Sequence, residues 1–440
     1  MHAIVGIHSH TRKLAAAIAL ACGLSETAVA GSVSFVTNCS DDGSPGTLRS
    51  VIAAASDFDT VDLFTQSSCS SITLTMGEIP LPNSVTLLGP AGGTVTIAAS
   101  PNSRVLHATV NSSGNNSLTL DNVTLVGGRV YTAASPAQGG CILSEGGMVT
   151  LESSTLTGCV AAAAGDGARG GAVSAARVHM YQSRIDNSAV YAAGNDGLFA
   201  IGGGAAAFYE FRCTESTISG NRALAGAIGE GGGVFIDNGP AYLYRCTVDH
   251  NTAQYTGGLL QFSTNGGDRV KITNSTVSSN RAEGADGGIF VTSPATVYNS
   301  TIAFNDALVA CGGLRGVTQI VLTSSIVANN SSGDPGCVDL YSYGLTTGSN
   351  SLVTVVNTAV PMDTIVADPQ LTLLADHGGL TFTHGLSLDS PAIDHGDNPV
   401  PVTWDQRGPP AFPRVVGNFP DIGAFERQAD DDEIFYGGFR

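Results

Sequence analysis

The sequence predicts an all-β protein, a single-stranded right-handed parallel β-helix, and three observations support this class. The 440 residues include 56 glycines, whereas aromatic residues make up 6%, a composition that suits tight turns and thin stacked layers. Short apolar strands alternate with turns, and almost no stretch has helical periodicity. Glycine pairs begin at positions 139, 170, 203, 232, 257, 287 and 312, which gives a unit of 25 to 33 residues. This period is typical of a β-solenoid, whereas propeller blades need about 40–50 residues.

Each copy of the repeat has the order Gly-Gly, apolar run, turn, apolar strand, Ser-Thr, apolar residue and Asn. The copy that begins at Gly257 continues to Ser275-Thr276 and ends at Asn280. Three short strands per coil would pair with those of the neighbouring coils about 4.8 Å apart. Asparagines at one place in successive coils can hydrogen-bond to each other, and the Ser-Thr steps can do the same at another corner. The expected asparagine ladder comprises Asn221, Asn251, Asn280, Asn305 and Asn329.

The intervals between the glycine pairs vary, so extra residues must leave the coil as loops. The longest such stretches are expected at 161–170, 190–203 and 263–269. Loops on a rigid scaffold often form binding surfaces, so these stretches are where a binding face is expected.

The first thirty residues have the features of a signal peptide. A basic pair at 12–13 precedes an apolar run at 14–24, and the small residues at 28–30 suit cleavage before Gly31. Two alternatives stay open, a buried N-terminal helix and a lipoprotein signal acylated at Cys22. No later stretch reaches the roughly 18 consecutive apolar residues of a membrane helix. The sequence thus predicts export, with the protein secreted or held at the outer cell surface.

Eight cysteines follow the predicted leader, and an even number in an exported chain favours disulfides. Zinc binding is the competing interpretation, but no two cysteines have the Cys-x-x-Cys spacing. The connectivity stays open from the sequence alone. The preferred pairs are Cys39 with Cys69 at the start of the fold and Cys311 with Cys337 at its end.

Both ends of a solenoid need a cap, because open strand edges pair with other chains. Residues 46–55 form the one convincing amphipathic helix after the leader, ahead of a first strand expected at 61–64. We therefore expect an N-terminal cap and the first coils over 31–110, followed by the repeats over 111–356. From 357 onward the repeat is lost and prolines and acids increase, which predicts an irregular C-terminal cap over the last coil.

Two stretches outside the repeat resemble the right-handed β-helix proteins that have a choice-of-anchor Q region. The N-terminal match comprises Cys39, Gly-Thr-Leu-Arg-Ser-Val-Ile at 46–52 and Cys-Ser-Ser-Ile-Thr-Leu at 69–74. The C-terminal match comprises Asp-Pro-Gln-Leu at 368–371, Leu-Ala-Asp-His-Gly-Gly-Leu-Thr at 374–381, Thr-His at 383–384, Ser-Pro-Ala-Ile-Asp at 390–394, Asp-Gln-Arg-Gly at 405–408 and Asp-Ile-Gly-Ala-Phe-Glu at 421–426. The resemblance assigns 357–427 to this region and implies a surface or extracellular setting, but it implies no established reaction.

The acidic tail at 428–440 ends in Ile-Phe-Tyr-Gly-Gly-Phe-Arg. This ending resembles the Ile-Phe-x-x-Gly-Phe tail of many exported Gram-negative proteins, although such tails usually end in an acid rather than in an arginine. The resemblance implies a location outside the cell of a Gram-negative bacterium.

The charge of the chain limits its partners. The net charge is −18, and the only lysines are Lys13 and Lys271. No basic patch is evident that could neutralise phosphates, so nucleic acid is excluded as a partner and anionic lipid is disfavoured. We expect a monomer whose partner is a polysaccharide or another cell-surface ligand.

Two short motifs are candidates for catalysis, because many β-helices cleave acidic polysaccharides with clustered acidic and basic side chains. Asp268, Arg269 and Lys271 resemble the Arg-x-Lys element of polygalacturonases, and Asp249-His250 resembles the Asp-His of pectate lyases. The paired-Asp and Gly-His-Gly companions of the polygalacturonase element are missing, so an outer face beside a loop is the favoured interpretation of the first motif. Asp249-His250 occupies the turn positions that Ser278-Ser279 and Ala303-Phe304 hold in later copies, so a solvated corner is favoured for the second. Ca²⁺ is expected only in the lyase alternative.

Histidines and acids in the C-terminal region could suggest a metal site, but their spacing matches no ligand signature, so no metal or other cofactor is predicted. The residues concerned are His377, His384, His395, Asp376, Asp394 and Asp397.

Two functional hypotheses follow from the sequence. The leading one is an exported or surface-associated β-helix scaffold that binds or adheres to a glycan or a partner surface. The alternative is an extracellular polysaccharide lyase or glycoside hydrolase on a pectate-lyase-like β-helix.

Overall fold

The structure, a computed structural model, describes residues 31–110, 116–133, 136–193, 199–226, 228–267 and 269–428. Within this part of the chain, 43 short strands and a single helix are present, and every pairing between strands longer than an isolated bridge is parallel. The strands form four sheets of 20, 11, eight and four members. The predicted fold class is confirmed, since the chain is an all-β parallel solenoid with eleven turns in its 11-stranded sheet.

The four sheets are formed as follows. The main sheet comprises Val33–Phe35, Asp59–Asp62, Ile79–Leu81, Val85–Leu88, Leu106–Ala108, Leu118–Asp121, Ile142–Ser144, Met148–Glu152, Val173–Tyr181, Ala205–Thr214, Val234–Asp237, Ala241–Tyr244, Leu259–Phe262, Val270–Thr273, Ile289–Val291, Ala295–Tyr298, Leu314–Gly316, Ile320–Thr323, Leu340–Ser342 and Thr346–Ser349. The 11-stranded sheet comprises Ser71–Thr73, Val95–Ala98, Val123–Val126, Thr155–Thr157, Arg184–Asp186, Thr217–Ser219, Thr247–Asp249, Thr276–Ser278, Thr301–Ala303, Ile326–Ala328 and Leu352–Val353. The eight-stranded sheet comprises Arg129–Thr132, Val160–Ala163, Ala189–Ala192, Arg222–Ala225, Thr252–Ala253, Arg281–Ala282, Asp306–Ala307 and Ser331–Ser332, and the four-stranded sheet comprises Ala137–Gln138, Ala168–Arg169, Phe199–Ile201 and Ile228–Glu230.

A typical coil passes through the main sheet twice. After its glycine pair it forms a first main strand, such as Val234–Asp237, and then a second main strand, such as Ala241–Tyr244. Thr247–Asp249 in the 11-stranded sheet and Thr252–Ala253 in the eight-stranded sheet complete the turn. Coils therefore contain up to five strands rather than the expected three.

Two of the three stretches that were expected to be loops contain strands. Residues 161–170 include the end of Val160–Ala163 and all of Ala168–Arg169, and 190–203 include most of Ala189–Ala192 and all of Phe199–Ile201. Ala168–Arg169 and Phe199–Ile201 depart from the repeat pattern because they belong to the four-stranded sheet, which accompanies four coils of the described chain. The third stretch is a loop in its described residues 263–267 and 269.

Side chains that point inward form rows, because each strand pairs in register with the same strand of the next coil. Val248, Val277, Ile302 and Val327 lie in one such row of the 11-stranded sheet, and all four are fully buried. Stacked aliphatic rows of this kind form one continuous core along the solenoid, and burying each such side chain stabilises the fold by roughly 1.5–3 kcal/mol.

Asparagine side chains form a buried ladder at the corner after the 11-stranded sheet. The Nδ2 of Asn221 donates to Oδ1 of Asn251 over 3.0 Å, and the same bond links Asn251 to Asn280 and Asn280 to Asn305 over 2.9–3.0 Å. Each Nδ2 also donates to a backbone carbonyl of the preceding coil, so the amide groups are satisfied without water.

The ladder continues through Asn330 and not through Asn329, which corrects the sequence alignment. Asn305 Nδ2 donates to Asn330 Oδ1 over 2.9 Å, and Asn330 donates in turn to Asp339. The repeat pattern aligns Ile326 with Ile302. In the structure, however, Ile326 pairs with Thr301, one position earlier in the repeat. Asn329 therefore occupies the corner position before the ladder, with a φ of 56° in the left-handed region.

The serine steps form a second series of bonds at the opposite end of the same strands. The backbone N–H of Ser275 donates to Ser300 Oγ over 3.1 Å, and that of Ser300 donates to Ser325 Oγ over 3.2 Å. Ser325 repeats the bond to Ser351 over 3.3 Å. Both corners of the 11-stranded sheet are thus fixed by polar side chains.

A seven-residue helix, Leu48–Ala54, covers the first coils at the position expected for the N-terminal cap. The hydroxyl of Thr47 caps its N-terminus, and Leu48 and Ile52 are buried in the main core. The sheet begins earlier than expected, because Val33–Phe35 precedes the helix and pairs with Asp59–Asp62. Within the described ranges, no helix has the length and apolarity to span a membrane.

The C-terminal region extends the last coil only briefly and then turns back along the solenoid. Val356 and Ile365 pair with Leu340 and Leu352, as expected for a cap over the last coil. The chain from about 367 to 427 then packs on the outer face of the 11-stranded sheet. The C-terminal region thus covers earlier coils in addition to the last one.

Threonine hydroxyls on the outer face of that sheet explain the docking. Thr247 Oγ1 donates to the carbonyl of Phe382 over 2.7 Å, and Thr276 Oγ1 donates to Oε1 of Gln406 over 2.6 Å. Thr301 Oγ1 accepts from the backbone N–H of Ala424 over 3.1 Å. All three threonines are buried by the segment, which thereby covers consecutive coils.

A buried ionic network holds the C-terminal region itself together. Arg407 forms an ion pair with Asp405 over 2.8 Å, and its guanidinium lies 4.0 and 3.9 Å from the ring centres of Phe412 and Phe425. The carboxylate of Glu426 accepts two backbone N–H groups, and its burial raises its pKa to about 8. These residues belong to the motifs that resemble choice-of-anchor Q, and here they have structural contacts.

His384 is a buried, neutral link between the C-terminal region and the solenoid. Its Nδ1 donates to the carbonyl of Thr372 over 2.7 Å, which leaves Nε2 to accept from Ser278 Oγ over 2.8 Å. The imidazole also lies 5.0 Å from the ring of Phe304. Burial lowers the pKa of His384 to about 4, so the charged form is disfavoured in the folded protein.

Substituting Asn280 by alanine should destabilise the fold by about 2–5 kcal/mol, because the buried N–H and Nδ2 groups of Asn251 lose their acceptor. The free energy of unfolding in urea measures this effect. The control is Asn329→Gly, which lies one residue from the ladder, keeps the left-handed corner and should change stability far less. Equal losses in both variants would contradict the ladder.

The stability of the wild type relative to a His384→Asn variant should depend on pH. The folded pKa of His384 lies below the unfolded value of about 6.5, so its contribution is complete above pH 6.5. Between pH 6.5 and 4 that contribution should fall by about 1.4 kcal/mol per pH unit. The fluorescence of Trp404, the single tryptophan, follows unfolding of the C-terminal region. A constant difference between the two proteins from pH 7 to 4.5 would contradict a buried neutral histidine.

Candidate functional site

Asp249 and His250 form a local pair at the corner after the 11-stranded sheet. Asp249 is buried, and its Oδ2 accepts from Ser219 Oγ over 3.0 Å and lies 2.6 Å from Nδ1 of His250. His250 is exposed and has a φ of 53°, in the left-handed region. The hydrogen bond to Asp249 raises the pKa of His250, because it stabilises the imidazolium. Asp249 and Ser278 occupy equivalent positions, as the sequence alignment suggested.

Arg269 and Lys271 lie on a different face, on the outside of the main sheet. Both side chains are exposed, and Lys271 pairs in register with Tyr242 and Thr296. Asp268 lies outside the described residues. The structure therefore does not bring the two catalytic candidates together, since one motif lies on the 11-stranded sheet and the other on the main sheet.

All eight described cysteines form disulfides. The pairs Cys39–Cys69 and Cys311–Cys337 are the two that the sequence favoured. The other two, which the sequence left open, are Cys141–Cys159 and Cys213–Cys246. No group of three or more His, Cys, Asp or Glu in the described ranges could hold a metal ion.

A concave corner beside the main sheet forms a cleft. The four-stranded sheet turns sharply into the first main strands through glycines with a φ near +60°, and these are Gly139, Gly170, Gly202 and Gly231. A Cβ at Gly202 would lie 2.3 Å from the carbonyl oxygen of Ala205. Only glycine fits this turn, which folds the backbone inward and makes the two sheets the walls of a groove.

The floor of this groove is an apolar cluster separate from the main core. Ile201, Phe235 and Leu260 are buried in it, although they point outward from the solenoid, and Phe199 and Phe290 pack against them. Phe235, Leu260 and Phe290 follow one another in register on adjacent coils. The cleft has a volume of about 510 Å³, and we refer to it as the aromatic cleft.

Arg169 forms the wall at one end of the aromatic cleft. Its guanidinium lies 4.9 Å from the ring centre of Phe199 and 5.4 Å from that of Phe208. Its Nε is buried and has no hydrogen-bond partner among the described residues. The Arg169 side chain also lines the cleft, so it places a positive charge beside a bound ligand.

Two carboxyl groups line the same cleft. Burial raises the pKa of Glu230, and burial also raises that of Asp237, although the positive charge of Arg169 partly opposes the second shift. Both groups are thus easier to protonate than in water. Carboxyl groups of this kind exchange hydrogen bonds with hydroxyl groups as donors or acceptors.

A second cleft of about 610 Å³ continues the groove towards the N-terminus and shares Arg169. Glu145 and Tyr209 also line it. Glu145 Oε1 lies 3.0 Å from Nε2 of His107, whose Nδ1 lies 3.0 Å from Oε1 of Glu78. The hydrogen bond to Glu78 raises the pKa of His107, so two carboxylates stabilise a cation beside this cleft.

The sequence contains a signal for the aromatic cleft that its repeat analysis did not use. The second residue after each glycine pair is Phe235, Leu260, Phe290 and Arg315 in successive copies. A large apolar side chain at a position that alternates with the core residues must face outward. Three such residues in successive coils indicate an apolar surface outside the core.

Comparisons with known proteins do not assign the chain to a family. The chain matches no family model and no curated protein. Among solved structures, it is similar to the crystal structure of pectate lyase Pel9A, with a TM-score of 0.37 and 13% sequence identity. The match covers 90% of this chain and 98% of that chain. The choice-of-anchor Q resemblance stays a prediction from the sequence.

Replacing Gly202 by alanine should disrupt the concave corner, because the new Cβ would overlap the Ala205 carbonyl. The matched control is Gly127→Ala, which has a φ of 72° but no atom within 4 Å of the new Cβ. The control should lose about 1–2 kcal/mol of stability from its backbone conformation alone. Gly202→Ala should lose about 1–3 kcal/mol more, as measured by urea unfolding. Equal losses would show that the corner has room for a side chain.

Proposed function

We propose that this protein is an exported, surface-associated β-helix scaffold that binds a glycan in the aromatic cleft. The observation that supports the proposal is the outward row of Phe235, Leu260 and Phe290, which lines the same cleft as Arg169. Four disulfides are typical of proteins that fold in an oxidising compartment. The predicted leader at 1–30 agrees with this setting but lies outside the described residues.

The chemistry of the cleft suits a sugar chain. Pyranose rings have apolar faces that pack on aromatic side chains, and they have hydroxyl groups at their edges that need hydrogen bonds. Phe199 and Phe290 supply aromatic surface, whereas Glu230, Asp237 and Arg169 supply polar groups around it. A long apolar ligand would leave these carboxyl groups without partners, which is unfavourable in a half-buried cleft.

The size of the cleft suits a short stretch of a linear chain. The first main strands from Val173–Tyr181 to Ile289–Val291 are five neighbours, so the cleft extends over four strand spacings, or about 19 Å. A chain that follows the groove would lie parallel to the solenoid axis. This orientation lets each sugar residue meet an equivalent part of a successive coil.

The lyase or hydrolase alternative needs acidic and basic groups that converge on one sugar bond. The residues first considered for it, Asp249, His250, Arg269 and Lys271, lie on two different sheets. A binding scaffold requires no such convergence, and for this reason we favour it.

Substituting Phe290 by alanine should weaken glycan binding about tenfold, because the cleft loses an aromatic surface worth about 1–1.5 kcal/mol. Isothermal titration calorimetry with neutral linear oligosaccharides of five or six residues measures this effect. The matched control is Phe419→Ala, an exposed phenylalanine of the C-terminal region, which should leave the affinity unchanged.

Three results would overturn the proposal. The first is a panel in which no oligosaccharide binds. The second is an affinity that Phe290→Ala leaves unchanged. The third is the release of unsaturated products or new reducing ends by the wild-type protein, which would favour the enzyme alternative.

A further inference from the structure

The outer face of the second main strands has a row of basic and aromatic side chains. His179 pairs in register with Arg212, Arg212 with Tyr242, and Tyr242 with Lys271. Arg212 and Lys271 are exposed, and Tyr242 is half-buried between them. Adjacent members are about 4.8 Å apart, so the row extends for about 14 Å along the solenoid.

A second row of tyrosines runs beside the first. Tyr181 pairs with Thr214, which pairs with Tyr244, and Tyr244 pairs with Thr273, which pairs with Tyr298. Tyrosines thus occur on every second coil, about 10 Å apart, with a threonine between them. We call the two rows together the tyrosine–cation strip.

The cations and the rings of the strip are in contact. The guanidinium of Arg212 lies 4.8 Å from the ring centre of Tyr242, and Lys271 Nζ lies 6.0 Å from that of Tyr298. The guanidinium of Arg245, at the end of the same strand as Tyr244, lies 4.9 Å from the Tyr244 ring. These contacts orient Arg212 and Lys271 along the surface, whereas Arg245 is buried.

The face of the strip holds charges of both signs, because Glu152 and Asp121 continue the tyrosine row beyond Tyr181. Arg212 forms an ion pair with Glu210, which also lies 3.5 Å from Nε2 of His179. Burial lowers the pKa of His179, and the neighbouring arginines add to this effect, so His179 is mainly neutral near pH 7. Arg177 pairs in register with Glu210, whereas Lys271 pairs with Tyr242 and Thr296.

We propose that the tyrosine–cation strip is a second carbohydrate site, which binds a linear anionic polysaccharide parallel to the solenoid axis. The cations pair with carboxylate or sulfate groups, and the tyrosines pack against sugar rings. The spacing of about 10 Å between tyrosines matches a chain whose repeat is two sugar residues. The strip lies on the second main strands, whereas the aromatic cleft lies on the first, so the two sites use separate residues and neither proposal depends on the other.

Other polyanions fit the strip less well. Nucleic acid binding needs many phosphate contacts, and the strip has few cations on a strongly acidic protein. An acidic peptide would pair with the cations but has no reason to match tyrosines on alternate coils. A polysaccharide uses both the charge and the spacing.

The test uses the full-length protein with alginate oligosaccharides and with neutral β-glucan oligosaccharides of the same length. A double variant, Arg212→Gln with Lys271→Gln, removes two exposed cations. The matched control, Arg222→Gln with Arg281→Gln, removes two exposed arginines from the eight-stranded sheet. Urea unfolding verifies that both variants are as stable as the wild type, which is expected because all four side chains are exposed.

The expected result is alginate binding that weakens at least about tenfold in the Arg212→Gln, Lys271→Gln variant and stays unchanged in the control. The affinity for alginate should also fall as salt rises from about 0.02 to 0.3 M, because exposed charges are screened. Phe290→Ala in the aromatic cleft should leave alginate binding to the strip intact.

Three outcomes would overturn the second site. One is a wild-type protein that does not bind alginate. Another is an equal loss in the control, which would indicate a general charge effect. The third is equal binding of an acidic peptide or an oligonucleotide of matched charge, which would show that the strip does not select for sugar. If Phe290→Ala changes only the binding of neutral oligosaccharides, that result bears on the aromatic cleft and not on the tyrosine–cation strip.

Discussion

Parallel, in-register stacking of the coils is the constraint on which the rest of the structure depends. Each residue lies about 4.8 Å from its equivalents in the two neighbouring coils, so every position becomes a row. Apolar residues form continuous rows inside, and a buried polar residue is tolerated only if its row satisfies its hydrogen bonds. The asparagines from Asn221 to Asn330 meet this condition by bonding to one another. Because equivalent positions stack on successive coils, outward apolar residues also form a continuous surface, as Phe235, Leu260 and Phe290 do.

The outer faces of the 11-stranded sheet and of the main sheet differ in what they contact. Threonines on the outer face of the 11-stranded sheet are covered where the C-terminal region binds them, through Gln406 and neighbouring backbone groups. The main sheet has no such cover in its central coils, and it presents the aromatic cleft and the tyrosine–cation strip instead. Packing of the C-terminal region thus leaves the main sheet as the face available to a ligand.

The sequence predicted those features that depend on local pattern and failed where register or distant contacts decide. The fold class and the position of the helix at 48–54 follow from composition and periodicity. The sequence placed the last asparagine of the ladder at Asn329, because Ser324-Ser325 was aligned with the Ser-Thr step of the other copies. In the structure Ser325 holds the position of the first residue of that step, which moves the ladder by one residue to Asn330. A slip of one residue exchanges the inward and outward faces of a strand. The aromatic cleft was missed because two of its strands lie in stretches without the repeat. The docking of Gln406 on Thr247 joins residues 159 positions apart, which no local pattern reveals.

We infer that ligands bind on the concave side of the main sheet, and the position of a bound oligosaccharide tests this inference most directly. A crystal structure of the protein with a neutral oligosaccharide of five or six residues should show the chain in the aromatic cleft, between Arg169 and Phe290 and parallel to the solenoid axis. An oligosaccharide that binds instead on the covered side, along the 11-stranded sheet or the C-terminal region, would contradict the account.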